Sequence, residues 1–387
     1  MQRRIYLDNS ATTRISDEAL EKYIAISRDC YGNPSSLHTM GYEAERVLNE
    51  ARSQIYTSLG AKGADVIFTA SGSEANNLAI IGRAFSKERY RKGAKIITTD
   101  GEHASVSAPL NYLMAQGFKI AKIPTRNGVL DIEALKAELT SDVILVTMMM
   151  VNNETGALYD ILEVSKLMRV RSKDAFLHVD ATQSYMKVPF TMAKLGADMI
   201  TLSSHKIEGP KGVGALLISP SVMKAKGIAP MILGGGQEGG MRSGTENVPA
   251  IAAFGEAVRI AQAALPERYR ILASLREYAI EKISLLSEIS ITNPKCHAPH
   301  ILNITLPGIK SETMLHYLSS LGIFVSSGSA CSSNSSHTSS ALMAYGRTEK
   351  EADSSIRISL SYKNTREDID ALAEGLSSGL SKLARTK

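Results

Sequence analysis

The sequence predicts an α/β protein in which a large domain, built on a mostly parallel seven-stranded sheet, is followed by a smaller α+β domain. Two observations predict it. Between about residue 60 and residue 220, short apolar runs alternate with amphipathic helical stretches, the rhythm of a parallel sheet covered by helices on both faces. After Glu246 the rhythm stops, and one long helical stretch leads into fewer, more widely separated β-like runs.

Taken in order, the strands of the large sheet are expected at Val66–Phe68, Ala94–Ile97, Phe118–Ala121, Val143–Val146, Phe176–Val179, Met199–Leu202 and Val213–Ile218. The connector, from Pro249 to about Leu286, carries apolar residues at three- and four-residue spacing and should break near Pro266, because proline removes a helical donor. Small-domain strands are expected at Ile301–Ile304, Ile323–Val325 and Ile356–Ser359, with a closing helix from about Arg366. The large domain is expected to span 13–264 and the small one 1–12 with 265–387. There is no internal repeat, and one serine-rich stretch, Ser326 to Ser340, contains Cys331.

The 387 residues are 44% hydrophobic and 21% charged, the profile of a globular chain that buries a sizeable core. The N-terminal segment lacks a secretory h-region, and no apolar run in the sequence approaches the ~20 residues that cross a bilayer, so a cytoplasmic location and no membrane partner are expected. The net charge of +5 is dispersed, so direct nucleic-acid binding is not expected. Cys30, Cys296 and Cys331 form no C-x-x-C pair, so neither a disulfide framework nor structural zinc is expected.

The chemistry concentrates where strands end. Asp180 closes the run Phe176–Val179, and Lys206 follows Met199–Leu202 in the segment Ser203-Ser204-His205-Lys206. Ligands of such sheets sit outside the carboxyl ends of the strands. A lysine and an acid there suit pyridoxal phosphate (PLP): the amine forms a Schiff base with the aldehyde, and the carboxylate keeps the pyridine nitrogen protonated.

Other motifs are ambiguous singly. Ser71-Gly72-Ser73-Glu74, between a strand and a helix, is either an N-cap or a phosphate cradle at the positive end of the helix dipole. His103 is either a surface histidine at a helix start or a ring that stacks on a flat ligand and moves protons. The glycine-dense stretch Gly234–Thr245 is either a linker or a backbone that approaches a ligand or second subunit closely. Arg357, in an alternating strand, is either solvated or a carboxylate clamp. Cys331, among small polar residues, is either a nucleophile on a mobile loop or a cysteine without a role.

Together these motifs resemble the cysteine desulfurases, in the class V aminotransferase-like branch of fold type I PLP enzymes. The similarity runs nearly end to end, through Tyr6–Thr13, Gly32–His38, Ser71–Asn77, Val151–Gly156, His178–Gln183, Ser203–Lys206, Met241–Thr245 and Ser326–Cys331. The resemblance implies conversion of L-cysteine to L-alanine, with the sulfur left as a persulfide on Cys331. It implies that Lys206 holds the cofactor, Asp180 pairs with the pyridine nitrogen, Gln183 and Asn153 bond the ring oxygen, and His103 stacks on the ring. Gly72, Ser73, Ser203 and His205 would cradle the phosphate, Thr245 would reach in from the second chain of a homodimer, and Arg357 would take the substrate carboxylate. Cys331 would pass sulfur to a protein acceptor, such as an iron–sulfur scaffold or a tRNA-thiolation protein, and could transiently ligate a cluster; no resident metal is implied. Three departures stand out: Gly239 replaces a frequent arginine, Glu208 fills a place usually held by tyrosine, phenylalanine or glycine, and Ser332–Ser340 lacks the usual Leu-Glu-Pro-Ser. A selenocysteine lyase-like enzyme and a catalytically dead binding subunit are the alternatives.

Overall fold

The computed structural model describes residues 3–86, 93–306, 308–327 and 339–384. After β1 (Ile5–Tyr6) come two helices, α1 (Asp17–Asp29) and α2 (Thr39–Ser58), and then the seven expected runs: β2 (Asp65–Thr69), β3 (Lys95–Thr99), β4 (Lys119–Ile123), β5 (Val143–Met149), β6 (Phe176–Asp180), β7 (Met199–Ser203) and β8 (Gly214–Ile218). Helix α3 (Gly72–Ala84) follows β2, and α4 (Ala104–Ala115) follows β3. The strands form one sheet in the order β2-β8-β7-β6-β5-β3-β4, antiparallel only where β8 meets β7 and β2. Every residue of β5, β7 and β8 is buried, which is why these runs read as continuous rather than alternating. Edge strand β4 instead carries Lys119 and Lys122 on its exposed positions, a charge pattern that deters edge-to-edge pairing.

One glycine governs the entry of β8. A Cβ on Gly214 would lie 2.6 Å from the Ser71 carbonyl carbon and 2.8 Å from the Gly72 nitrogen. Any other residue would therefore push the start of α3 off the sheet.

Beyond the large sheet, β9 (Ser290–Thr292), β10 (Ile301–Thr305), β12 (Ser326–Ser327) and β13 (Ser355–Ser359) form an antiparallel sheet ordered β12-β13-β10-β9, while β11 (Ile323–Phe324) pairs in parallel with β1. The expected strand Ile323–Val325 is thus shorter and serves the N-terminal segment, and β9 was not foreseen because three residues carry no period. The closing helix is Arg366–Lys382.

The connector differs from expectation. It is one helix, Val248–Ser284, that runs through Pro266 without a break. A proline inside a helix costs about 3 kcal/mol; here Pro266 and Gln262, whose carbonyl loses its partner, are both exposed, so water satisfies the orphan. The helix serves two cores. Ile251, Phe254 and Val258 pack in the cluster that includes Val47, Leu48 and Ile55 of α2, and Leu272, Leu275, Ala279 and Ile283 pack with Leu302, Ile356 and Leu372. Its apolar length would suffice to cross a bilayer, but these contacts already bury that face.

Candidate active site

Five strands deliver polar groups to one edge of the large sheet. Register places Asp180 beside Thr201 of β7 and Met149 of β5, so the acid lies between the segments that carry Lys206 and Asn153. Asp180 is 5% exposed; its Oδ2 accepts from Asn76 Nδ2 at 2.8 Å and its Oδ1 from the Thr182 amide at 2.9 Å. Lys206 ends a 3-10 turn directly after β7. Its Nζ donates to the carbonyls of Ser10 and, at 2.7 Å, Ala11, which brings the N-terminal segment over the strand ends.

These groups border a cavity of about 340 Å³ whose lining includes Gly72, Ser73, His103, Asn153, Asp180, Gln183, Ser203, His205, Lys206 and Arg357. The start of α3 is both a capped helix end and part of the cavity lining. Ser71 is the N-cap, accepting from the Glu74 amide at 3.2 Å, while Gly72 and Ser73 face the cavity. A Cβ on Gly72 would meet Ser203 Cβ at 3.2 Å and Thr182 Oγ1 at 3.3 Å, so the turn can sit that close only without a side chain. His103 likewise both caps α4 and lines the cavity. Its Nδ1 lies 2.8 Å from Ser105 Oγ, which accepts from Asn76 at 2.9 Å. Histidine, serine, asparagine and Asp180 thereby form one hydrogen-bonded chain.

His205 lies 3.2 Å from Thr12 Oγ1 through Nδ1. Burial, then the charges of Lys206, Lys211 and Lys187, push its pKa down to about 4, so the ring is neutral at physiological pH. Arg357, 4% exposed, donates from Nη2 to Asp8 Oδ1 at 2.8 Å and from Nη1 to the Asn153 carbonyl at 3.0 Å, while its Nε has no partner among the described residues. Glu154 accepts from Ser339 Oγ at 2.6 Å, and burial raises its carboxyl to about 7.

One of the expected residues does not join this group and one is not described. Thr245 is exposed and is not part of the lining of its own chain's cavity; Cys331 lies outside the described residues. Of the pair Asn152-Asn153, Asn152 is structural: its Oδ1 accepts from Glu154 and Thr155 and its Nδ2 donates to Gly101. The glycine-dense loop is anchored rather than slack, since Glu238 holds Arg52 and the Phe68 amide and Arg242 holds Glu74.

Sequence reasoning missed Asp8, Ser10, Asn76, Ser105 and Glu102. Asn76 stood in a motif already singled out, and its place one turn after Gly72 could have aimed it at the strand ends. Glu102, beside His103, accepts from Thr99 Oγ1 at 2.6 Å and from the Met149 amide. It ties the β3 and β5 ends together, and burial raises its carboxyl to about 8.

The lining fits PLP. Among the described residues Gln183 Oε1 and Ser10 Oγ are buried without partners, Gly72 and Ser73 open a helix beside the cavity, where backbone N–H groups favour an anion, and an acid and a lysine sit on adjacent strand ends. The fold is that of the fold type I PLP enzymes. The chain belongs to the aminotransferase class-V family, whose model, described as "Aminotransferase class-V", matches residues 5–372. It is 38% identical over 380 residues to cysteine desulfurase IscS 1 of Archaeoglobus fulgidus, covering 98% of this chain and 97% of that one. Among solved structures it resembles a NifS-like protein (TM-score 0.91, 36% identity, 98% of this chain and 100% of the other). It also resembles SspA in complex with cysteine (TM-score 0.80, 30% identity, 94% and 100%).

Proposed function

We propose that the cavity holds PLP on Lys206 and that Cys331 takes the sulfur of L-cysteine. The chain is a PLP-dependent cysteine desulfurase. The observation that carries the residue assignment is the meeting, in one cavity, of Lys206, Asp180, Gln183, His103 and the Gly72–Ser73 turn opposite Arg357.

When bound, PLP supplies an electron sink that stabilises negative charge at the substrate Cα. Asp180 holds a proton on the ring nitrogen and is itself fixed by Asn76 and Thr182. Gln183, held through Nε2 by the Ser10 carbonyl at 3.0 Å, offers Oε1 toward the cavity, and Asn153 flanks the same side. Neutral His205, with Gly72, Ser73 and Ser203, receives the phosphate, completed by Thr245 of a second subunit in a homodimer. Arg357 takes the substrate carboxylate, using the Nε that has no partner and exchanging Asp8 where the carboxylate binds. With the cofactor bound, Lys206 would be the group placed to carry a proton to and from the substrate Cα. The Cys331 thiolate attacks the substrate sulfur: the S–S bond forms, the C–S bond breaks with its electron pair left on carbon, and that carbon takes up a proton. The products are L-alanine and a Cys331 persulfide, which a protein acceptor, of the iron–sulfur scaffold or tRNA-thiolation kind, then collects. We further propose a cytoplasmic setting, and a domain division at 264/265, supported by the separate apolar clusters on the two halves of the long helix.

The test is an assay of alanine and persulfide on the pure protein and on Cys331→Ser. The variant should keep its yellow colour and bind cysteine, yet lose persulfide formation by orders of magnitude, because an alcohol cannot hold a persulfide. Parental persulfide formation by that variant would overturn the assignment, and undiminished turnover of selenocysteine alone would point to a lyase.

A further inference from the structure

Glu208 departs from its family's pattern and sits two residues beyond Lys206. Its φ is +65°, a left-handed backbone that favours glycine and costs other residues on the order of 1 kcal/mol or more. The strain coincides with a dense set of contacts made by its side chain. Tyr362 Oη donates to Glu208 Oε2 at 2.7 Å, Lys363 Nζ lies 2.6 Å from Oε1, and Arg268 Nη1 lies 3.4 Å from Oε2. Arg268 also donates from Nη2 to Tyr362 Oη at 2.9 Å, and its guanidinium stacks 3.9 Å over the Tyr362 ring. Burial and then Glu208 raise the Tyr362 hydroxyl pKa, so it stays a donor.

These partners come from different parts of the chain. Arg268 belongs to the second half of the long helix, and Tyr362 and Lys363 follow β13, the strand that carries Arg357. The backbone of Glu208 faces the other way: its amide donates to Thr13 Oγ1 at 2.8 Å and its carbonyl accepts from the Ser16 amide at 2.9 Å. Thr13 in turn bonds the His205 carbonyl. Between the two sides lies a second cavity, of about 40 Å³, bordered by Asn9, Lys206, Glu208, Arg268 and Tyr362. Met186, Ile207, Leu272 and Leu360 line it as well, so the polar bonds of Glu208 stand beside an apolar contact that is not fully filled.

We propose that Glu208 is a positioning residue that clasps the Lys206 turn to the Arg268–Tyr362–Lys363 side, and so sets the separation between Lys206 and Arg357 that governs how tightly an amino-acid substrate is held. The inference rests on the reading of Arg357 as the carboxylate clamp. A glycine at this position would relieve the backbone and release the clasp together, whereas Glu208→Gln keeps the backbone and weakens only the clasp, which separates the two effects. Glu208 touches neither cavity group nor substrate directly; it acts through the two elements it joins.

The experiment compares Glu208→Gly, Glu208→Gln, Tyr362→Phe and the Glu208→Gly/Tyr362→Phe double variant with the parent. Glu208→Gly should raise KM for L-cysteine at least fivefold with kcat within twofold, and should melt below the parental temperature, because the relief of the backbone is smaller than the loss of an acceptor shared by Tyr362, Lys363 and Arg268. Tyr362→Phe should raise KM similarly, the double variant no further, and Glu208→Gln, which still accepts from Tyr362, should fall between parent and glycine. In cofactor-free protein, hydrogen exchange at amides 361–364 and 11–13 should quicken in Glu208→Gly. A parental KM in Glu208→Gly, multiplicative effects in the double variant, or unchanged exchange would each overturn the clasp. Arg357→Lys is the control: if it leaves KM at the parental value, the clamp reading itself fails, whereas a raised KM there with a parental Glu208→Gly rejects only the clasp.

Discussion

On the floor of the cavity, Asp180, His103 and the Ser71–Gly72 turn each follow a strand of one sheet, and Lys206 follows its neighbour. On the opposite wall, Arg357 is held by Asp8, 349 residues away in the chain, and Ser339 by Glu154. The floor inherits its geometry from strand register, where many backbone bonds share the load and one side chain changes little. The wall is set by individual side-chain bonds, each of which can be cut singly. The comparison teaches that the floor is built into the sheet, whereas the wall is built between distant segments and is the more adjustable of the two.

The hardest blow to the floor is Lys206→Ala. It should abolish the yellow absorbance of the bound cofactor (roughly 400–430 nm) and lower turnover by orders of magnitude, with the sheet intact by circular dichroism. A surviving band would mean that another amine holds the cofactor. On the wall, Arg357→Lys keeps the charge but loses the planar fork. Steady-state kinetics should show KM for cysteine raised about tenfold to a hundredfold, with the cofactor colour retained. If colour were lost with it, floor and wall would not be separable.

The seam between them offers a pH test. Lys187 is buried with no hydrogen-bond partner at Nζ among the described residues, and burial, then Lys206, lowers its pKa to about 7. An unfolded lysine titrates near 10.4. Below pH 7 both states carry the proton and the folded protein bears the full cost of a buried charge. Between about pH 7 and 10 only the unfolded chain binds the proton, so stability rises with pH across that window and the cost fades. Lys187→Met should therefore stabilise the protein, by about 2–4 kcal/mol at pH 7, and by much less near pH 10. Urea unfolding at the two pH values checks it; a gain that is equal at both would mean the amine is not buried neutral. The smallest effect expected is that of Cys296→Ser. Cys296 is exposed, so the change should cost under about 0.5 kcal/mol and leave persulfide formation untouched.

Most of the floor was legible in advance. Six of the seven strands of the large sheet end within two residues of where the apolar runs stop, and β5 runs three residues past its run to Met149, because burial on both faces demands continuous apolar sequence. The wall was less legible. Arg357 was ambiguous because alternation in a five-residue strand does not say which face meets the cavity. Asp8, Ser10 and Glu154 had no signal at all, since a polar residue near a strand or turn reads as ordinary surface. The break expected at Pro266 did not occur because the cost of a missing donor depends on whether water reaches the orphaned carbonyl, which is a matter of position in the fold.

The sequence by itself determined the α/β class, the seven strands of the large sheet and the polar residues at their carboxyl ends, because periodicity and strand-end chemistry are local properties of the chain. Only the tertiary structure decided that His103 and Asp180 share one hydrogen-bonded chain, that Arg357 faces the cavity, and that a strained Glu208 joins the Lys206 turn to Arg268 and Tyr362. Those relations depend on distances between segments far apart in the chain, and such distances are set by packing, not by any pattern written along the chain.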